Sequence, residues 1–228
     1  MRNLEIKNQN GRSMIEMLGV LAIIGVLSVG GIAGYSKAMQ KYRINKTIEQ
    51  ITLIAGNVRT FFAPQKSYDG LEVCEGTPGP CITSGKIVMK AKLVPDEIIS
   101  TGQFSIIQLN NPFGGIYGLK AVPKDSARDN KAFSIKITQV PAEACVELST
   151  HDWQNIGNVR WVVSHNSDST IYHVYEGMVG CYQNGSGVYE SSGILGCPNG
   201  SEVSLPLPLD KVANVCSGDD NTIVIGFE

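Results

Sequence analysis

The hydrophobic positions of this chain follow two successive patterns near its amino terminus. From Met17 to Gly34, eighteen consecutive residues carry no charge, and only Ser28 among them is clearly polar. That length is close to what an α-helix needs to cross the hydrocarbon layer of a bilayer. Glu16 lies directly before the uncharged run. Because an ionisable group at the edge of lipid is costly unless it is paired, Glu16 is the first candidate functional residue.

The second pattern is a stripe of apolar residues at three- or four-residue steps, which is typical of an amphipathic helix. No proline precedes Pro64, so nothing interrupts the helix across the two patterns. The sequence therefore predicts one helix from about Met14 to Phe62, roughly 70 Å long at 1.5 Å per residue. The stripe consists of Tyr35, Met39, Tyr42, Ile44, Ile48, Ile51, Ile54, Val58 and Phe61.

The rest of the chain indicates a strand-rich head of the α+β class, in which an antiparallel sheet packs on the long helix. Alternating apolar residues predict strands at 132–137, 157–163, 170–175 and 222–227. Two short helices are predicted, one over 141–148 with Pro141 near its first turn and one over 210–216 with Asp210 as its N-cap. The segment 184–200 is rich in Gly and Ser, which predicts a loop or an irregular hairpin.

Charge and cysteine content narrow the function classes. The formal net charge of −2 and the 18% of charged residues show no basic surplus, so we expect no nucleic-acid partner. Six cysteines, all downstream of the apolar run, suit disulfides in an oxidising compartment, with buried free thiols as the alternative. No CxxC pair is present, which argues against structural zinc. The cysteines are Cys74, Cys81, Cys145, Cys181, Cys197 and Cys216, which allow fifteen pairings.

The remaining polar residues do not form a catalytic or ligand-binding motif. His151, His165 and His173 lie on separate segments without HExxH spacing. Residues 219–221 (Asp-Asp-Asn) provide fewer oxygens than calcium requires, so a solvated turn is the better interpretation. We therefore expect no enzyme activity, cofactor or metal. Aromatic residues of the head should pack in the core, with an adhesive or subunit-contact patch as the alternative; they include Trp153, Trp161, Tyr172, Tyr175, Tyr182 and Tyr189.

A polar leader, MRNLEIKNQNG, ends at Gly11 and is followed by RSMIE and the apolar helix. This arrangement resembles the class III signal of type IV pilins and pseudopilins. The resemblance implies that a membrane peptidase cuts between Gly11 and Arg12 and methylates the new amino terminus. It also makes Glu16 the fifth mature residue, which the family requires for assembly. Arg12 departs from the family, in which Phe, Met or Leu is usual, and an ordinary signal cleaved among residues 28–34 is the alternative.

Three blocks of the head are distinctive, namely NNPFGGIYGLKAV at 110–122, KAFSIKITQVPAEACVELS at 131–149 and LDKVANVCSGDDNTIVIGFE at 209–228. They resemble the type IVb branch, which includes toxin-coregulated, bundle-forming and conjugative-plasmid pilins. The resemblance implies the type IV pilin fold and pairs Cys145 with Cys216. Cys74 and Cys81 enclose a turn-prone hexapeptide that makes a local bridge feasible. Cys181 and Cys197 then remain as the third pair.

The resemblance implies a leader at 1–11, a stem helix at 12–62 and a head at 63–228, with 14–35 in the membrane or the filament core. It implies a type IVb pilus subunit that is processed by a prepilin peptidase and polymerised by assembly machinery. Such a subunit is held in the bacterial inner membrane before assembly and is part of an extracellular filament afterwards. A minor pilin, a secretion pseudopilin and a membrane-anchored binding protein that does not polymerise are the alternatives.

Glu16 has three candidate roles under this interpretation. Its carboxylate could pair with the amine of Arg12 on a neighbouring subunit and so gauge the register of the growing filament. It could instead pair with the Arg12 side chain of its own helix, four residues away. In the third, the Glu16 side chain only extends (snorkels) to the polar interface of the membrane and has no partner in assembly.

Overall fold

The computed structural model describes residues 14–73, 85–101, 107–122, 130–157, 159–166, 194–195, 206–207 and 209–228. The chain divides into two compact units, residues 1–42 and 43–228. The predicted uninterrupted helix is confirmed, because helix α1 spans Met14–Phe62. The described part of the first unit consists of the residues of α1 up to Tyr42.

The second unit is built around an antiparallel sheet, as the predicted α+β class requires. The strands are β1 (Glu72–Val73), β2 (Ile99–Thr101), β3 (Ile107–Asn110), β4 (Ile116–Val122), β5 (Ala132–Val140), β6 (Val159–Asn166), β7 (Ile194–Leu195) and β8 (Asn221–Phe227). Their order in the sheet is β2-β3-β4-β5-β8-β6-β7, and β1 pairs with β4 beside this path. The helices that follow α1 are α2 (Gly85–Lys90), α3 (Ala142–Ser149) and α4 (Leu209–Val215).

Most of the sequence-predicted elements are found close to their expected positions. Strands β5 and β8 and helix α3 overlap their predictions, whereas β6 begins two residues later than expected and extends to Asn166. Helix α4 begins at Leu209, so Asp210 lies in its first turn and the prediction of an N-cap was wrong. An acidic residue there still interacts favourably with the helix dipole. The predicted strand at 170–175 lies outside the described residues.

The apolar stripe of α1 packs into the head core, although its membership differs from the prediction. Tyr42 is 61% exposed and Phe61 is 39% exposed, whereas Phe62 is buried. The helical period of 3.6 residues accounts for the shift at the carboxyl end. Phe62, four residues after Val58, lies closer to the side of the helix that Val58 occupies than Phe61, three residues after it. The buried residues of α1 are Ile44, Thr47, Gln50, Ile51, Ile54, Ala55, Val58 and Phe62.

Two of the buried α1 residues are polar, and Gln50 belongs to a chain of hydrogen bonds that ties the helix to the head. The buried Tyr117 hydroxyl on β4 donates to Gln50 Oε1 at 2.8 Å. Gln50 Nε2 in turn donates to Glu97 Oε1 at 3.2 Å. Lys46 Nζ lies 3.0 Å from the same carboxylate oxygen, and this contact lowers the pKa of Glu97. The Tyr117 phenol is therefore buried with its hydrogen-bonding capacity used.

The Asn-Pro-Phe-Gly-Gly turn before β4 is held by the side chain of Asn111. Its Oδ1 accepts from the backbone N–H of Phe113 at 2.9 Å and of Gly115 at 3.1 Å. Its Nδ2 donates to the Thr138 carbonyl at 2.8 Å. A side chain at Gly115 would overlap the Thr138 backbone, so glycine is required there by close approach. The motif thus docks the turn on β5.

Strand β5 is irregular where this turn docks. The pairing of β5 with β8 shifts in register between Ile137 and Val140, and Gln139 adopts a φ of 56°. A second buried asparagine secures the irregularity from the other strand, because Asn221 Nδ2 donates to the Val140 carbonyl at 2.9 Å. Non-glycine residues rarely adopt positive φ, so this conformation depends on contacts from both neighbours.

Replacing Tyr117 by Phe should make the head less sensitive to alkaline pH. Burial raises the pKa of the Tyr117 phenol above its ordinary value of 10.0. The unfolded chain loses this proton near pH 10 whereas the folded chain retains it, so stability falls as the pH rises beyond that value. Urea unfolding in detergent, below and above pH 10, measures the difference between the wild type and Tyr117→Phe.

Tyr42→Phe is the matched control, because that ring is exposed and its replacement should leave the free energy of unfolding at neutral pH unchanged. At neutral pH, Tyr117→Phe should lose about 1 kcal/mol through the hydrogen bond to Gln50. If the free energy of unfolding falls equally above pH 10 in the wild type and in Tyr117→Phe, this explanation is contradicted.

Replacing Asn111 by Ala should destabilise the head by about 2–3 kcal/mol, because the N–H of Gly115 and the carbonyl of Thr138 lose their partner. Chemical denaturation measures this change in the free energy of unfolding. Asn110→Ala is the control, since Asn110 is exposed and should cost less than about 1 kcal/mol. Similar losses of unfolding free energy in the two variants would argue against the stabilising role of the Asn111 side chain.

Candidate functional site

The first half of α1 exposes apolar side chains on every side of the helix. Their exposure ranges from 49% at Met17 to 87% at Met14, and none of the most apolar eighteen-residue window is buried. Among the described residues this is one helix that is long and apolar enough to cross a membrane by length and composition. A continuous apolar surface of this kind requires a cover, which is either lipid or other apolar helices.

Glycines are frequent in this exposed half, although no contact with the described residues requires them. A Cβ atom at Gly19, Gly25, Gly30 or Gly34 would meet no atom within 4 Å. Each glycine weakens an isolated helix by about 1 kcal/mol relative to alanine. Glycine also lets a neighbouring helix backbone approach closely. The surface is therefore suited to close packing by helices that are not part of this chain.

Glu16 lies in the first turn of α1 and is exposed. A carboxylate at this end of a helix interacts favourably with the partial positive charge of the unpaired N–H groups. Gly11 and Arg12, the two residues of the expected cleavage site, lie outside the described residues. The structure thus places Glu16 beside the amino end of the helix, and the processing site stays a prediction.

A disulfide joins Cys145 in α3 to Cys216, which follows α4 directly. Their Cα atoms are 5.7 Å apart, and 71 residues of sequence separate them. This is the pair that the family resemblance implies. In the chain-entropy account, a loop of this length stabilises the fold by about 4 kcal/mol. The bridge ties the segment before β8 to the helix after β5. The expected pairs Cys74–Cys81 and Cys181–Cys197 lie outside the described residues and stay predictions.

The aromatic residues that the structure describes serve packing. Trp153 is fully buried, its Nε1 donates to the Leu148 carbonyl at 2.8 Å, and His151 lies edge-on against it at 4.7 Å. This agrees with the core role expected of Trp153. The side chains of Trp161 and His165 lie outside what the structure describes, as do His173, Tyr172, Tyr175, Tyr182 and Tyr189.

The acidic turn before β8 behaves as a solvated turn with a structural asparagine. Asp219 and Asp220 are exposed, whereas Asn221 is buried and donates to the Val140 and Gly218 carbonyls. In the part of the chain that the structure describes, no three His, Cys, Asp or Glu side chains are placed to hold a metal ion.

Sequence reasoning missed the polar contacts of α1 within the head. Thr47 and Gln50 interrupt the apolar stripe, and that interruption was a usable signal of buried polar contacts. Arg59 gave no such signal. Its Nη1 donates to the Ile156 carbonyl at 2.9 Å, and its guanidinium lies 5.4 Å from the centre of the Phe227 ring. Burial lowers the pKa of Arg59.

Comparison with known proteins agrees with this geometry. The family described as PilS N terminal matches residues 41–227, which is most of the chain. The major structural subunit of the bundle-forming pilus of Escherichia coli O127:H6 is 27% identical over 146 residues, covering 63% of this chain and 65% of that protein. The chain thus spans slightly less than two thirds of that relative.

Two proteins of Vibrio cholerae are also similar. The toxin coregulated pilin is 26% identical over 147 residues, covering 62% of this chain and 57% of the relative. The crystal structure of TcpA, a type IV pilin from the El Tor biotype, has a TM-score of 0.51 and 17% identity, covering 82% of this chain and 99% of that chain. The resemblance to the type IVb branch is confirmed by the family match and these relatives. The chain belongs to the PilS family, and its fold is that of the type IV pilins.

Proposed function

We propose that the mature chain is the structural subunit of a type IVb pilus, a surface filament used for adhesion, aggregation or conjugation. The observation that carries this proposal is the apolar first half of α1, which is exposed on all sides. The names of the relatives support it, since one is the major structural subunit of a bundle-forming pilus and another is a toxin coregulated pilin. The proposed role is structural and involves no catalytic step.

The exposed half of α1 has two successive environments in this proposal. Before assembly, it lies in the inner membrane, where its helical backbone satisfies its own hydrogen bonds. During assembly the same surface packs against α1 helices of other copies in the filament core. Lipid tails are as apolar as the side chains of neighbouring helices. Moving the first half of α1 from lipid into the filament core therefore gains little from the hydrophobic effect. Close packing at glycines such as Gly25 and Gly30 is one available source of attraction.

Glu16 supplies the specificity that such an apolar surface lacks. We assign cleavage to the bond between Gly11 and Arg12, which creates a new amine four residues before Glu16. In an assembled filament this amine pairs with Glu16 of a neighbouring copy. A copy that is displaced along the bundle would leave both charges unpaired in a region of low dielectric, which is strongly unfavourable. The pair therefore selects one register from many that are similar in apolar packing.

Replacing Glu16 by Leu should leave membrane insertion and leader removal intact but reduce incorporation into filaments by at least about 100-fold. The reason is that removing one partner of a buried ion pair costs about 3–5 kcal/mol. Electron microscopy of sheared filaments, with immunoblots of the filament and membrane fractions, measures the partition. Normal filaments from this variant would exclude the proposed role.

Two further variants separate charge from other effects. Glu16→Gln retains the size of the side chain and should fail as Glu16→Leu does, because the negative charge is what matters. Glu49→Gln removes a carboxylate from the exposed side of the same helix, where it contacts Lys46 at 3.4 Å, and should assemble normally. Equal loss of filaments in Glu16→Gln and Glu49→Gln would show a general effect of helix charge.

Mass spectrometry of the mature protein should find Arg12 as the first residue, carrying one added methyl group. An anchored binding protein that never polymerises instead retains its leader or is cut near Gly34. The abundance of the chain in purified filaments then distinguishes a major subunit from a minor pilin or a pseudopilin, which would be present in few copies.

A further inference from the structure

Immediately after the apolar run, α1 carries a set of residues suited to the polar layer of a membrane. We call Tyr35, Lys37, Lys41 and Tyr42 the tyrosine–lysine collar. All four are exposed, the two tyrosines by 66% and 61%. Ser36, which lies among them, donates its hydroxyl to the Ile32 carbonyl at 3.1 Å, so its polar group is satisfied by the helix itself.

The arrangement of the collar suits a helix that stands upright in a membrane. Tyr35 and Tyr42 are seven residues apart and share one side of the helix, whereas Lys37 and Lys41 are four apart and share another. A helix that lies flat in the interface would separate its polar and apolar residues into two lengthwise faces instead. Tyrosine and lysine on different sides of one short segment form a belt of the kind found at the ends of spanning helices.

The depth of the lysines matches the layer of lipid headgroups. The uncharged run of eighteen residues from Met17 to Gly34 is about 27 Å long, close to the roughly 30 Å of bilayer hydrocarbon. Lys37 then lies about 5 Å and Lys41 about 10 Å beyond the run. Side chains on a helix lean toward its amino end, so both lysines lean back toward the membrane. Flexible lysine stems can cover the remaining distance.

The charge of this segment is of one sign. No Asp or Glu occurs between Glu16 and Glu49, so Lys37 and Lys41 lie in a stretch that is cationic in sequence. In the orientation that the proposed function requires, these lysines are on the exported side. Basic residues at that end oppose the usual bias of membrane topology, which places Lys and Arg at the cytoplasmic end. The usual topology bias therefore does not account for their presence.

We propose that the tyrosine–lysine collar binds the phosphate groups of anionic phospholipids in the outer leaflet of the inner membrane while the subunit awaits assembly. This inference rests on the proposed function for the orientation of the helix. A lysine ammonium offers a phosphate N–H donors and a full charge. The tyrosine rings occupy the same layer beside the lipid glycerol and headgroup region. The collar thereby sets the height of α1 in the bilayer and enriches anionic lipid around the waiting subunit.

The test uses the full-length processed chain, kept unassembled, in vesicles of phosphatidylcholine with a minority of phosphatidylglycerol. Electron paramagnetic resonance of spin-labelled lipids measures which headgroup is preferred at the protein boundary. The wild type should favour phosphatidylglycerol by a factor of up to about fivefold per lysine at low salt. The preference should diminish as salt is added, because screening shortens the reach of the lysine charges.

Three variants isolate the collar. Lys37→Gln/Lys41→Gln should bring the preference close to parity, and Lys37→Arg/Lys41→Arg should retain it because the charge is conserved. Lys90→Gln/Lys92→Gln removes the same charge from exposed positions in the head and should behave as the wild type. The proposal is overturned if the wild type shows no preference for phosphatidylglycerol, or if Lys37→Gln/Lys41→Gln retains the preference. It is also overturned if Lys90→Gln/Lys92→Gln loses the preference to the same extent as Lys37→Gln/Lys41→Gln.

Filament formation is scored separately, so the two proposals fail in different ways. If the lysines instead contact acidic groups of a neighbouring subunit, the Gln collar variant loses filaments while its lipid preference equals that of the wild type, and the lipid proposal is overturned. If the wild type forms no filaments but prefers phosphatidylglycerol, the proposed pilus function fails, and what remains is the preference of the collar for anionic lipid.

Discussion

The structure depends on a single constraint, namely that helix α1 must remain one unbroken helix while its surroundings change completely along its length. In its first half no apolar residue is covered, and in its second half one side is buried to completion. A helix can do this because its backbone hydrogen bonds are internal and do not depend on the surroundings.

The head packs the second half of α1 into its own core. The buried stripe from Ile44 to Phe62 supplies apolar area that the sheet would otherwise lack. Apolar side chains alone fix the position of a helix along its axis poorly, because neighbouring turns of similar shape can exchange places. Directional bonds from Gln50 to Tyr117 and Glu97 remove this freedom, since a shift of one turn would leave a buried phenol without a partner.

The sequence was sufficient for the boundaries of α1, the α+β class and strands β5, β6 and β8, because these follow from local periodicity and from proline placement. It was insufficient where a side chain acts over a long separation in sequence. Arg59 reaches a carbonyl that lies 97 residues away, and Asn221 reaches one 81 residues away, and no local pattern encodes such a partner. The error at Phe61 has another origin. A pattern of three- or four-residue steps does not decide which of two adjacent apolar residues, Phe61 or Phe62, lies on the buried side of the helix. The family resemblance, by contrast, supplied the disulfide partner of Cys145, which spacing alone left among fifteen possibilities.

The place of β8 in the sheet has a consequence for the order in which the head can fold. It follows every other described strand in the chain, yet it lies between β5 and β6, where both of its edges are paired and all seven of its residues are buried. Without β8 the described strands would form two separate parts of a sheet with no strand to join them. The head therefore cannot complete its sheet until residues 221–227 are available, and until then the facing edges of β5 and β6 stay open. Unpaired strand edges of this kind make a partly folded chain prone to aggregation.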